Sequence, residues 1–188
     1  MVILGLGNIG RRYEQSRHNL GFMVIRSILE REKLSFEPAE DEYDWAVKKT
    51  GSHETVFAMP RTFMNRSGIA ADALLQRLNF DPSQMLVVVD DFNLPLGRIR
   101  IRKSGSDGGH NGLASIIETL ETDDFPRLRL GIGPVPDNVG SVDFVLDDFE
   151  QEEIEPTHKM ITAATGAVVF LLEHGLDRAM TEYNINPA

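Results

Sequence analysis

The chain has 188 residues, 41% of them hydrophobic and 26% charged, with a formal net charge of −10 and no cysteine. That length predicts one domain over residues 1–188 with a core of its own, and the composition excludes a disordered chain. Without cysteine there are no disulfides, thiolate nucleophiles or Cys-based metal sites, and the acidity argues at first against a nucleic-acid partner.

Met1–Leu4 is an apolar run ending at Gly5-Leu6-Gly7, the pattern of a buried strand entering a turn. Leu20, Val24, Ile25, Ile28 and Leu29 recur at helical spacing and predict an amphipathic helix over 19–33. An acidic, Pro-containing connector over 36–44 precedes two short strands, 44–49 and 54–59, joined at Gly51-Ser52. A helix is expected over 67–78, stopped by Asp81-Pro82. Met85–Val89 is continuously apolar and predicts a central strand ending at Asp90-Asp91. Over 97–103, Ile99 and Ile101 alternate with Arg98, Arg100 and Arg102, which predicts a half-buried strand with a basic face. A Gly-rich loop (104–109), a helix (110–120), a last strand (127–133), a mixed segment to Phe149, a long helix (152–174) and a short final helix complete the order. Alternating strands and helices predict an α/β fold, with a mixed, mostly parallel twisted sheet and helices on both faces. No apolar run approaches the ~18 residues of a membrane helix. The start lacks a basic leader region, so the chain is expected to be cytoplasmic.

Gly5-Leu6-Gly7-Asn8-Ile9-Gly10 fits a dinucleotide-binding fingerprint. The mechanism of that motif requires a helix opening at the third glycine. Arg11 to His18 has no apolar periodicity, so the glycines are better read as a tight turn presenting Asn8.

Two histidines stand in Gly-flanked segments and are each followed by Asn: His18-Asn19 and His110-Asn111. Helix capping explains one such pair, and for Asn19 it stands level with a functional reading. With Asn8 at a strand end and Asn65 after another, capping alone is strained. Amides donate and accept without titrating, so together they can hold an ester or peptide carbonyl. His18 and Asp91 would form a general-base pair that activates water. No histidine pair has metal-ligand spacing, and no metal or cofactor is expected. From these residues alone, a hydrolase using direct water attack and a binding protein stand level.

At this point the chain closely resembles bacterial peptidyl-tRNA hydrolases. The resemblance is carried by Gly7-Asn8-Ile9-Gly10, Tyr13, Arg17-His18-Asn19, the Thr62–Gly68 segment, Asp91 with Leu94-Pro95-Leu96-Gly97, the Gly108–Leu113 segment, and Arg127–Gly133. These segments keep the family's order and spacing over nearly the whole chain. The resemblance implies a monomeric, cofactor-free enzyme that cleaves the ester between a peptide and the terminal ribose of tRNA, recycling tRNA from prematurely released chains. His18 matches the family's base and Asp91 its orienting carboxylate. Asn8, Asn65 and Asn111 match the amides that position peptide and water, and Tyr13, Met64 and His110 match other cleft residues. Arg102 and Arg129 match the pair that holds the tRNA 5′-phosphate, Arg102 standing where better-known members have lysine. Ile9 stands where the family usually has proline. Asp90 adds a second carboxylate. Side chains alternate along a strand, so only one of Asp90 and Asp91 should face the cleft, and the spacing to Leu94-Pro95 favours Asp91. A noncatalytic RNA-binding homologue of the same fold is the alternative.

The resemblance also changes the meaning of the charge. The segments 5–21, 60–68, 91–112 and 127–133 hold 11 of the 19 Lys and Arg against three acids, Glu14, Asp91 and Asp107. The acidic bulk lies elsewhere, so the charge restricts where a tRNA can lie rather than forbidding one.

Overall fold

In the computed structural model, residues 1–37, 42–51 and 53–184 are described. Residues 38–41 of the acidic connector and the second residue of the Gly51-Ser52 turn lie outside them. Six strands form one sheet: β1 (Val2–Gly5), β2 (Tyr43–Thr50), β3 (His53–Pro60), β4 (Met85–Pro95), β5 (Ile99–Arg102) and β6 (Arg127–Gly133). Their spatial order is β2-β3-β1-β4-β6-β5. The four inner strands run parallel, and the two edges pair antiparallel through β2·β3 and β5·β6. This is the expected mixed, mostly parallel sheet.

Six α-helices cover its two faces: α1 (Leu20–Glu32), α2 (Ser67–Leu78), α3 (Asn111–Leu120), α4 (Ser141–Leu146), α5 (Ile154–His174) and α6 (Leu176–Tyr183). Ile3, Leu86, Val88, Leu128 and Leu130 pack with Leu20, Val24, Ile25 and Ile28 of α1 and with Ala164, Val168 and Leu171 of α5. Val2, Leu4, Val87 and Val89 face the other way, onto Ala70 and Leu74 of α2 and Leu113 and Ile116 of α3. β4 is therefore buried on both sides, which is why its sequence is a continuous apolar run rather than an alternating one. α2 ends where Asn79 adopts a left-handed conformation, with Phe80 N–H donating to Leu75 O at 3.0 Å. Asp81-Pro82 instead opens a capped 3-10 turn. The short α4, within what the sequence shows only as a mixed segment, forms a separate turn of helix.

Two details place the site. The first is the close approach of β1 to α1. A Cβ on Gly5 would collide with Gly21 O, and one on Gly7 would meet the Phe22 ring. The glycines of the fingerprint thus let strand and helix touch, and only a 3-10 turn, Arg11–Tyr13, follows Gly10. The second is the β4 terminus. The strand continues through Asp90 and Asp91, which lie opposite Leu130 and Gly131 of β6, before its register shifts ahead of Pro95. On the outer edge of β5, the Asn184 side chain takes the backbone of Ile101 from both sides: Ile101 N–H donates to its Oδ1 at 2.7 Å, and its Nδ2 donates to Ile101 O at 2.9 Å.

Candidate active site

His18 sits in a buried 3-10 turn, Arg17–Asn19, between the end of β1 and α1. Its neighbours fix the turn. The Arg17 guanidinium is buried over the Phe144 ring at 4.4 Å and contacts Glu153 Oε2 at 2.5 Å. Arg17 N–H donates to Asp147 O at 3.0 Å. These contacts join the turn to α4 and the segment that follows it. Asn19 precedes α1 but its side chain does not cap the helix. It clasps Asn8 instead, accepting from Asn8 N–H at 2.7 Å and donating to Asn8 O at 3.0 Å.

Asn8 is oriented in turn. Its Oδ1 accepts the Met64 N–H at 2.9 Å, which orients the amide and leaves Nδ2 without a hydrogen-bond partner among the described residues. Met64 is buried, and a Cβ on Gly112 would collide with its sulfur, which sets it beside the start of α3.

The carboxylate that holds His18 is Asp90, not Asp91. His18 Nδ1 lies 2.9 Å and 3.0 Å from the two Asp90 oxygens. Asp91 turns to the opposite face and pairs with Arg129 Nε. The cause is strand alternation: Leu86, Val88 and Asp90 share the α1 face, while Val87, Val89 and Asp91 share the other. The expectation of Asp91 beside His18 is therefore corrected by one residue.

Asp90 also takes a second imidazole. His110 Nε2 lies 3.1 Å from Asp90 Oδ1, and the two rings stand 4.7 Å apart. The hydrogen-bond network assigns both tautomers. His110 precedes α3, and its Nδ1 accepts the N–H groups of Gly112 at 3.1 Å and Leu113 at 3.2 Å. That nitrogen carries no proton, so Nε2–H donates to Asp90. His18 has the reverse form: Nδ1–H donates to Asp90, and Nε2 keeps a lone pair with no partner among the described residues. Burial raises the Asp90 pKa, but the electrostatic attraction and hydrogen bonds of His18 and His110 outweigh it and hold the carboxyl well below the ordinary range.

His18, Asp90 and His110 are also close enough to bracket a metal ion, their ligand atoms lying within 4.8 Å of one another. The donor chemistry does not fit one. A cation at Asp90 would need a lone pair on His110 Nε2 while Nδ1 still accepts two amide protons, which demands an imidazolate.

An open cleft of about 290 Å³ runs from His18, Asp90 and His110 past Asn111 to Asp91, Arg102 and Arg129. Ser141, Val142 and Val145 of α4 form one wall and the Gly-rich loop another. The structure thus gathers His18, His110, Asn111, Arg102 and Arg129 into one groove. Four of the expected residues are not among those that line it: the buried Asn8 and Met64, Tyr13, half-buried beneath the Arg12 guanidinium, and the exposed Asn65. Arg102 is exposed and makes no side-chain hydrogen bond among the described residues. Arg127 differs: it is buried and donates to the carbonyls of Gly105, Ser106, Asp123 and Phe125. It is thus a brace for the Gly-rich loop. Sequence gives no sign of that role, since Arg127–Gly133 reads there only as a last strand.

Comparison with known proteins gives a consistent result. The family model described as peptidyl-tRNA hydrolase matches residues 2–188. A peptidyl-tRNA hydrolase of Methylacidiphilum infernorum is 41% identical over 181 residues, covering 96% of each chain. One of Pseudothermotoga lettingae is 42% identical over 183 residues, covering 97% of this chain and 96% of its own. Among solved structures, a peptidyl-tRNA hydrolase complexed with n-propanol superposes with a TM-score of 0.91 at 28% identity, covering 100% of this chain and 96% of the other. The Acinetobacter baumannii enzyme gives 0.90 at 28% identity, covering 97% and 93%.

Proposed function

Because the chain belongs to the peptidyl-tRNA hydrolase family, we propose that it hydrolyses the ester between peptide and tRNA by direct water attack, with His18 as the base and Asp90 as its orienting carboxylate. The observation that carries this assignment is the pair of opposite tautomers on Asp90, which leaves His18 Nε2 as the free lone pair facing the cleft.

Water gives a proton to His18 Nε2 as its oxygen bonds to the ester carbonyl carbon. The tetrahedral intermediate then breaks the bond to the ribose oxygen, which takes the proton back from the imidazolium. Asp90 stabilises that imidazolium through Nδ1–H. Asn8 Nδ2, Asn65 and Asn111 supply amides for the first peptide unit. A free aminoacyl ester would put a charged ammonium against those amides, desolvated and unpaired, so it is spared. Tyr13 and Met64 complete the peptide side. Arg102 and Arg129, at the other end of the groove, take the 5′-phosphate of the tRNA.

In this reading the enzyme works as a cytoplasmic monomer without metal. Among the described residues no helix is long and apolar enough to cross a membrane. The deciding experiment compares N-acetyl-aminoacyl-tRNA with free aminoacyl-tRNA in chelator-treated buffer. Release of the acylated substrate alone is expected. Tight tRNA binding without any turnover would instead favour the noncatalytic RNA-binding alternative.

A further inference from the structure

Asp91, displaced from the base, has its own arrangement. Its carboxylate belongs to the face of β4 that looks towards the arginines of β5 and β6, and it is committed at both oxygens. Oδ1 accepts Asn93 N–H at 2.8 Å, closing a small turn where β4 shifts register, and Oδ2 takes Arg129 Nε. Asn93 Nδ2 donates in turn to Gly108 O at 3.2 Å. The segment from Asp91 to Asn93 thus ties one guanidinium and the Gly-rich loop to the same bulge.

The contact on Arg129 is one-sided. Only Nε is engaged, and the two terminal nitrogens make no hydrogen bond among the described residues. The Asp91 carboxylate is 8% exposed and the Arg129 side chain 25% exposed, so the pair is held at the cleft wall rather than in free solvent. An arginine has many rotamers, and binding an oxyanion with its terminal fork requires one of them. A carboxylate fixed behind Nε selects that rotamer in advance.

We infer that Asp91 is a positioning residue for phosphate recognition: by holding Arg129 Nε from the bulge, it presents the guanidinium fork to the 5′-phosphate of tRNA. This rests on the reading of Arg129 as a phosphate ligand given above. The opposite effect, repulsion of the phosphate by Asp91, is weakened because the carboxylate is already paired with Arg129.

The test is a double-mutant cycle on hydrolysis of N-acetyl-aminoacyl-tRNA, with and without the 5′-phosphate. Asp91→Ala is expected to raise KM for the phosphorylated tRNA about five- to tenfold, with the loss in KM rather than kcat. Asp91→Asn should act in the same direction, since the amide NH2 that replaces one oxygen would face a donor, either Asn93 N–H or Arg129 Nε. In an Arg129→Ala background, or with the 5′-phosphate removed, Asp91→Ala should add less than twofold. Thermal melts of each variant confirm that the fold persists, and Asp91→Asn provides the isosteric check. A KM that falls or stays level in Asp91→Ala, while Arg129→Ala raises it, overturns the inference and leaves the phosphate reading intact. No effect of Arg129→Ala on KM overturns the phosphate reading itself.

Discussion

His18 and His110 grip one carboxylate from opposite tautomers. His110 has both ring nitrogens committed, to Asp90 and to the first turn of α3, whereas His18 has one nitrogen free. Two histidines that look alike in sequence, each followed by Asn, thus differ in chemistry because only His110 stands at the N-cap position of a helix, whereas His18 lies inside the 3-10 turn ahead of α1.

Removing the free nitrogen tests that division. His18→Ala should lower kcat for N-acetyl-aminoacyl-tRNA by about 10² to 10⁴. The dissociation constant for a non-hydrolysable peptidyl-tRNA analogue should move less than about threefold, because phosphate and amide contacts remain. Retained turnover would end the assignment of His18 as the base.

The two adjacent aspartates should separate cleanly. Asp90→Asn keeps the shape but loses the charge opposite the imidazolium and leaves one amide N–H facing a donor. A fall in kcat of about 10³ or more is expected, by analogy with carboxylates that fix a catalytic imidazole. Asp91→Asn should act mainly on KM. Reversal of the two phenotypes in steady-state kinetics would restore Asp91 as the partner of His18.

His110 combines a cap with a hold on Asp90, and two substitutions resolve them. His110→Ala loses both and should cost about 1 kcal/mol of stability from the cap alone, measured by denaturant unfolding. His110→Asn restores a good cap residue but not the donor to Asp90. It should recover most of that stability while kcat stays about tenfold down. Full recovery of kcat in His110→Asn would show that the second imidazole matters only to the helix.

Asp90 also gives the fold a pH dependence of known sign. Its carboxyl is held below the ordinary range in the folded protein, while the unfolded group titrates near 4. The stability it contributes is fully present above about pH 4 and is lost as pH falls through the lower, folded value. The melting temperature of Asp90→Asn should therefore lie below that of the unchanged protein at pH 6, and the gap should narrow steadily below pH 4. A gap that widened on acidification would contradict the sign.

Much of this was legible from periodicity. The helix over Ser67–Leu78 and the strand over Arg127–Gly133 stand where the apolar spacing puts them. Which carboxylate meets His18 was not. Met85 to Val89 is apolar at every position because both faces of β4 are buried, so no alternation marks which face the next residue joins. The extension of β4 past Asp91 was also hidden. The strand reads as ending at Asp90-Asp91, whereas in the structure it runs on to Pro95, pairing with β6 again only at Gly133 after a shift of register. Arg17 reads as one more member of a basic loop, yet it is buried and paired, a fact set by Phe144 and Glu153 more than a hundred residues away.

The Asn184 amide on the rim of β5 has a colloidal consequence. An outermost strand offers its peptide groups to any passing chain, and stacking of one sheet onto another begins there. Asn184 presents a carboxamide of the same dimensions as a peptide unit and saturates Ile101 from outside. Together with the like-charged Arg100 and Arg102 flanking it, this counterfeit peptide leaves the β5 rim fewer free peptide groups to offer to another strand.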